Sequence, residues 1–150
     1  MKSIQFIVIS LLLLSLCSCG MPSASDSAID SGNRESWKIV NYWSKTCAPC
    51  RIEIPELNEL SEELADSNVI VLGVNFDEDA REETMKIARY MGIKFPTLTQ
   101  AEIEALHLTA PSVLPTTYIL SPDNEVKGKM IGAQDRASIR EKLAELSVLI

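Results

Sequence analysis

The fold follows from one segment of the sequence, WKIVNYWSKTCAPC (residues 37–50). Its first half, Trp37 to Trp43, is a mostly apolar run that is typical of a buried β-strand. Its second half ends in Cys47-Ala48-Pro49-Cys50, which opens an amphipathic segment typical of a helix. Two cysteines at a helix start can close a small disulfide ring, and the backbone N–H groups there stabilise a thiolate on the first. The segment therefore predicts a thiol-disulfide exchange site between a strand and a helix.

The rest of the chain alternates the periodicities of strands and helices. After the strand at 37–43, the predicted elements are a helix at about 48–65, a strand at 69–76, a helix at about 79–91, strands at 116–120 and 125–131, and a helix at about 136–146. Asp77, Glu78 and Asp79 suit the positive start of the second helix, and Gly92 suits its end. Asp135 is a candidate cap of the last helix. This β-α-β-α-β-β-α order predicts an α/β protein with a thioredoxin fold, in which helices flank a central mixed sheet.

Two segments carry a resemblance to a known family. Trp43 to Pro55 resembles the active-site segment, and Val113 to Leu120 the cis-proline loop, of the TlpA/ResA-like thioredoxin-fold disulfide reductases. The resemblance extends roughly from Trp37 to Leu146. Members of that family carry a β-hairpin before the first core strand, which we expect to be absent here. The segment from Leu106 to Val113 is a few residues longer than is usual in the family.

Cys47 and Cys50 are the predicted catalytic and disulfide-forming pair. Cys47, at the exposed helix start, is the expected nucleophile, with a thiol pKa lowered from about 8.5 toward about 7. Cys50 lies one turn further along and would resolve the mixed disulfide. The resemblance implies a cis bond between Leu114 and Pro115, which would bind an incoming cysteine-containing segment. Trp43 is interpreted as a wall of this site, with core packing as the alternative.

Glu53 is the third candidate catalytic residue. It follows Cys50 by three residues and therefore lies on the same face of the predicted helix. It also matches the active-site glutamate that the resemblance implies. A carboxylate here could relay a thiol proton and raise thiol pKa values by charge repulsion. The alternative is a solvated helix residue without a catalytic role.

The N-terminus has the features of a bacterial lipoprotein signal. Lys2 precedes a mostly apolar run, and Leu16-Cys17-Ser18-Cys19 resembles a lipobox. We expect a signal peptide at 1–18, a lipidated Cys19 with a flexible tether at 19–36, and a thioredoxin-like domain at 37–150. The alternatives are a secretory signal cleaved near Met21 or a short uncleaved anchor.

Composition narrows the function classes further. The net charge of −7 disfavours nucleic acid as a partner. The arrangement of residues along the sequence predicts neither a metal site nor a bound cofactor. We expect a monomeric protein-disulfide reductase, lipid-anchored at the periplasmic face or the cell surface. It would act on disulfides or thiols of exported proteins, with cytochrome c maturation as one setting. A membrane-embedded donor would resupply its electrons.

Two other functions remain open from the sequence alone. One is a copper-binding or delivery module that uses Cys47, Cys50 and His107, because soft thiolates suit Cu(I). The other is a peroxiredoxin-like peroxidase with Thr46-Cys47 as the peroxidatic site, although the proline expected before such a site is missing.

Overall fold

The computed structural model describes residues 28–29 and 35–150. The predicted signal peptide, Cys19 and most of the tether lie outside the described residues, as does the place of the family's hairpin. The elements are β1 (Trp37–Trp43), α1 (Ala48–Glu63), β2 (Val69–Asn75), α2 (Arg81–Met91), α3 (Gln100–Ala105), β3 (Thr116–Leu120), β4 (Val126–Ile131) and α4 (Arg136–Glu145). The predicted thioredoxin fold is confirmed, with α3 as an added helix.

The four strands form one mixed sheet in the order β2-β1-β3-β4. β1 runs parallel to β2 and antiparallel to β3, and β4 continues antiparallel to β3. The central place of β1 explains its apolar sequence, because both of its edges are paired and both of its faces are covered. β2 is also buried on both faces, as predicted. Its outer edge bonds at Gly73 to Pro96 and Leu98 of the segment that follows α2.

Alternate side chains of β1 face opposite sides of the sheet. Ile39 packs with residues of α1 and α4, and we call this side the α1 face. Val40 and Tyr42 pack with Leu98 and Leu106 on the other side, which we call the α3 face. α2 lies on the α1 face, because its apolar residues join the cluster of Trp43 and Ile54.

Two helix starts differ from the sequence prediction. α2 begins at Arg81 after an N-cap at Ala80, slightly later than the predicted start at about residue 79, so Asp77 to Asp79 precede the helix. Asp77 instead accepts a hydrogen bond from Ser44, and Asp79 accepts one from Asn75. Both carboxylates therefore accept hydrogen bonds from residues outside α2.

α3 was not predicted at all. Its start is a capping box, in which Thr99 and Glu102 each bond the other's backbone N–H. The six residues of α3 include no buried side chain, so the helix is too short and too polar for hydrophobic periodicity to detect.

Two other predicted helix boundaries agree with the structure. Gly92 follows the last residue of α2 in the left-handed conformation at φ 78°, and Asp135 caps the start of α4.

The described part of the tether lies against the α3 face. Ala28 and Ile29 pack against its apolar cluster, and the Ile29 N–H donates to Glu102 Oε1 at 2.8 Å. Across residues 28–29 and 35–150, no helix combines the length and the apolar character that crossing a bilayer requires.

Candidate active site

Cys47 and Cys50 are joined in a disulfide at the start of α1. Cys47 is the N-cap residue, and the N–H of Cys50 points at its Sγ at 3.3 Å. Pro49 sits in the first turn, where its missing N–H leaves no bond unmade. Cys47 is half-buried, whereas Cys50 is completely buried. The two sulfurs are therefore unequal: an outside thiol can reach only the first, and a helix N–H is placed to stabilise a negative charge on it.

The loop before Cys47 is held by the carboxylate of Asp77, which lies just after the end of β2. Ser44 Oγ approaches both oxygens of Asp77, at 2.9 and 2.8 Å, and the Lys45 N–H donates to the same group at 3.3 Å. The Thr46 N–H donates to Ser44 Oγ, and the Cys47 N–H donates to Ser44 O at 3.1 Å. These bonds fix the path by which β1 enters α1. Sequence reasoning missed them, because Ser44 and Asp77 are 33 residues apart.

Glu53 lies in the interior beneath the disulfide end of α1. It is only 1% exposed, so the alternative of a solvated helix residue is wrong. Asn41 Nδ2 donates to its Oε1 at 2.7 Å, and the Gln134 N–H donates to its Oε2 at 3.0 Å. Burial raises the pKa of the Glu53 carboxyl to about 7, although the hydrogen bonds from Asn41 and Gln134 act to lower it. Near neutral pH this group is able either to hold or to accept a proton.

Asn41 of β1 is the side chain that orients Glu53 of α1. Its Nδ2 also donates to Thr117 Oγ1 at 3.1 Å, so both amide hydrogens are used. Its Oδ1 is buried without a hydrogen-bond partner among the described residues. The amide is therefore arranged to serve an ionised carboxylate. The direct contact couples Asn41 to Glu53.

Trp43 is completely buried beside Cys50. It packs with Ile54 of α1 and with Ile87 and Met91 of α2. A Cβ on Gly73 would lie 2.9 Å from its Nε1, so the indole occupies space that only a glycine leaves free. Its packing is that of the core alternative, and a direct contact with substrate stays a prediction.

Leu114 and Pro115 are joined by a cis peptide bond, as the family resemblance implies. Leu114 packs against the cluster that holds Cys50 and also against the cluster on the α3 face. Thr116 Oγ1 donates to Val113 O at 2.8 Å, which ties the loop to the start of β3. The structure thus brings the proline loop to the disulfide, while its binding of substrate remains a prediction.

His107, the third residue of the copper alternative, is exposed in the turn after α3 at φ 52°. Within the described ranges, no three His, Cys, Asp or Glu side chains form a group that could hold a metal ion.

Comparisons with known proteins identify the family. A profile of the AhpC/TSA family matches residues 23–129, which is more than half of the sequence. The chain belongs to the AhpC/TSA family. It is 28% identical over 108 residues to the thiol-disulfide oxidoreductase ResA of Geobacillus thermodenitrificans, a match that covers 72% of this chain and 62% of ResA. It is 29% identical over 107 residues to the thioredoxin-like protein YneN of Bacillus subtilis, covering 70% of this chain and 62% of YneN. The predicted resemblance to ResA-like proteins is confirmed.

A solved structure agrees with the fold. The DsbF homologue of Corynebacterium diphtheriae superposes with a TM-score of 0.61 at 22% identity, over 76% of this chain and 74% of that protein. Since such identity is low, this likeness supports the thioredoxin fold alone. The matches with ResA and YneN span less than two thirds of either relative.

Proposed function

We propose that the protein is a thiol-disulfide oxidoreductase that reduces disulfides of other proteins through Cys47 and Cys50. The observation that carries the proposal is the pairing of a half-buried N-cap sulfur with a completely buried second sulfur on the next turn. One sulfur is open to attack a partner, and the other is protected until it is needed. The names of the relatives, thiol-disulfide oxidoreductase and thioredoxin-like protein, support the same class of reaction.

The proposed reaction moves two electrons in two exchanges. In the reduced protein, the Cys47 thiolate attacks one sulfur of a target disulfide, which forms a mixed disulfide and releases the other target sulfur as a thiolate. The Cys50 thiol then loses its proton and attacks Cys47 Sγ. This step forms the Cys47–Cys50 bond seen in the structure and releases the second target thiolate. The released thiolates take up protons, so the target gains the two electrons that this protein loses.

Glu53 is the proposed acceptor of the proton that Cys50 loses. It lies one turn after Cys50 on the same side of α1, in the same dry interior. A pKa of about 7 suits that task, because near neutral pH a useful fraction is ionised and able to take the proton. Asn41 would keep the accepting oxygen in place, since it holds Oε1 at 2.7 Å.

The setting that we propose is extracytoplasmic. Cys19 would carry the lipid anchor, residues 19–36 would be the tether, and Trp43, Leu114 and Pro115 would bind the substrate segment. The substrates would be disulfides or thiols of exported proteins, including those of cytochrome c maturation, and a membrane-embedded donor would restore the dithiol. The lipobox-like sequence before Cys19 supports the anchor. Cys19→Ser should move the protein from the membrane fraction to the soluble fraction, and unchanged membrane association would contradict the anchor.

The reaction is tested with Cys47→Ser and Cys50→Ser, both in a Cys17→Ser/Cys19→Ser background that also serves as the reference. Each molecule of the reduced reference protein should reduce one insulin disulfide. Cys47→Ser should lose essentially all activity, at least about a thousandfold, because it lacks the nucleophile. Cys50→Ser should instead accumulate a mixed disulfide with insulin, visible on a non-reducing gel.

Two results would contradict the proposal. Activity retained in Cys47→Ser would show that another group performs the exchange. Slow insulin reduction together with rapid consumption of hydrogen peroxide by the reference protein would favour a peroxidase instead.

A further inference from the structure

A groove of about 320 Å³ opens on the α3 face at the end of the sheet that carries the active site. One wall is formed by the ends of β1 and β2, through Tyr42, Val74 and Phe76. The other wall is formed by α3 and the loop after it, through Ile103 and Leu108. This loop belongs to the segment from Leu106 to Val113, which the sequence analysis predicts to be longer than is usual in the TlpA/ResA-like family.

The groove lies at the same end of the sheet as the disulfide. The Phe76 N–H donates to Trp43 O at 2.8 Å, so the groove begins at the strand end from which the loop leads to Cys47. Leu114 of the proline loop packs against the cluster that contains Tyr42 and Val74 and also against the cluster that contains Cys50. A polypeptide that crosses Leu114 with its cysteine at Cys47 would therefore place its next residues over the groove.

The lining of the groove is apolar with a negative rim. Its carboxylates are Glu78 and Glu104, and its other polar side chains are Asn75, Gln100 and His107. Among the described residues, no lysine or arginine lines it. Phe76, which directly follows the buried strand β2, is 38% exposed, which is unusual for a phenylalanine. The far wall is fixed, because Tyr118 Oη donates to Thr109 O at 3.1 Å and holds the loop. A fixed apolar slot with a carboxylate rim is complementary to an apolar side chain next to a lysine or arginine.

We propose that this groove is a substrate subsite that selects disulfide-containing protein segments with an apolar residue beside a basic one. The inference rests on the proposed function, since it names the class of segment on which the dithiol acts. Binding in the groove would hold the target sulfur near Cys47 before the exchange, and the carboxylate rim would favour encounter with cationic segments.

The test uses two disulfide-linked fluorogenic peptides that differ only in the pair beside the cysteine, Leu-Arg in one and Leu-Glu in the other. The reduced Cys17→Ser/Cys19→Ser protein is mixed with each at low ionic strength, and rates are divided by those with dithiothreitol, which removes intrinsic peptide reactivity. We expect the Leu-Arg peptide to react about fivefold faster, an advantage that shrinks in high salt as the charges are screened.

Substitutions in the groove sharpen the test. Glu78→Gln with Glu104→Gln should bring the two rates together, and Ala110→Lys, which places a cation in the lining, should reverse the preference. Matched substitutions on the opposite side of the sheet, Glu141→Gln and Ala137→Lys on α4, should leave the preference unchanged. Rates with the uncharged hydroxyethyl disulfide should stay equal in all variants, which separates substrate selection from damage to the dithiol.

The outcomes distinguish the two proposals. If neither peptide is reduced, the proposed function fails and the inference fails with it. If both peptides are reduced at equal corrected rates, or if the preference survives Glu78→Gln with Glu104→Gln, the inference fails while the proposed function stands.

Discussion

The two faces of the sheet differ in how completely they are closed. On the α1 face, Leu57, Leu60, Ile139 and Leu143 are all completely buried between the sheet and two long helices. On the α3 face the covering helix has six residues and no buried side chain of its own. The closed α1 face suits thiol chemistry, because it keeps a carboxyl group away from water. The more open α3 face suits contact with another protein. The active site lies where the two faces meet at the end of β1.

The largest expected effect comes from making the same leucine-to-alanine substitution on each face of the sheet. Leu57→Ala should lower the free energy of unfolding by about 2–5 kcal/mol, because it leaves a cavity among side chains that cannot move in. Leu108→Ala should cost less than about 1.5 kcal/mol, because Leu108 is only partly buried and borders an open groove. Urea unfolding of the oxidised proteins measures both, and equal losses would show that the α3 face is as tightly packed as the α1 face.

The second effect concerns the dry carboxyl on the α1 face. The Glu53 pKa is raised from 4.5 to about 7 on folding, so between these values the folded protein holds a proton that the unfolded chain has lost. The unfolding free energy must therefore fall as the pH rises from 4.5 to about 7. Above this window the contribution of Glu53 no longer changes with pH. Glu53→Gln should remove a decrease of about 2–3 kcal/mol in unfolding free energy between about pH 5 and about pH 8.

The measurement is urea unfolding of oxidised wild type and variant at both pH values, compared as a difference so that other titrating groups cancel. Glu104→Gln on the α3 face is the control, since that side chain is exposed and should leave the wild-type pH dependence in place. A Glu53→Gln protein that keeps the full pH dependence would show that another group is responsible.

The same contrast explains what the sequence could and could not reveal. The strand at 37–43, the dithiol at the helix start and the apolar stripe of α1 follow from local periodicity, and the structure has them. The contacts that tune the site join residues far apart in the chain. Asn41 and Glu53 are 12 residues apart, and Gln134 is 81 residues from Glu53. Only folding brings such groups together.

The α3 face was the less predictable of the two. Its helix is too short for periodicity to reveal, although Thr99-x-x-Glu102 is the pattern of a capping box and could have marked its start. The groove beside the proline loop depends on where that helix and its following loop lie across the sheet.

The smallest effect comes from comparing two glycines on opposite edge strands of the sheet, Gly73 in β2 and Gly128 in β4. A methyl group on Gly73 would meet Trp43 Nε1 at 2.9 Å and Phe95 at 3.0 Å, both of which are buried ring atoms without room to retreat. A methyl group on Gly128 would meet Ile119 and Lys142 at 3.5–3.6 Å, which is ordinary contact. Gly73→Ala should therefore cost about 1–3 kcal/mol in unfolding free energy.

Gly128→Ala should change the unfolding free energy by less than about 1 kcal/mol, because the smaller loss of chain entropy on folding offsets any crowding of the added methyl group. Since Trp43 packs against Cys50, displacement of the indole in Gly73→Ala should also change the rate at which the reduced protein resolves its mixed disulfide with a peptide. Gly128→Ala, at the far strand, should leave that rate unchanged. Equal stabilities and equal rates in the two variants would mean that Trp43 has freedom to move, and that the wall behind the dithiol is not rigid.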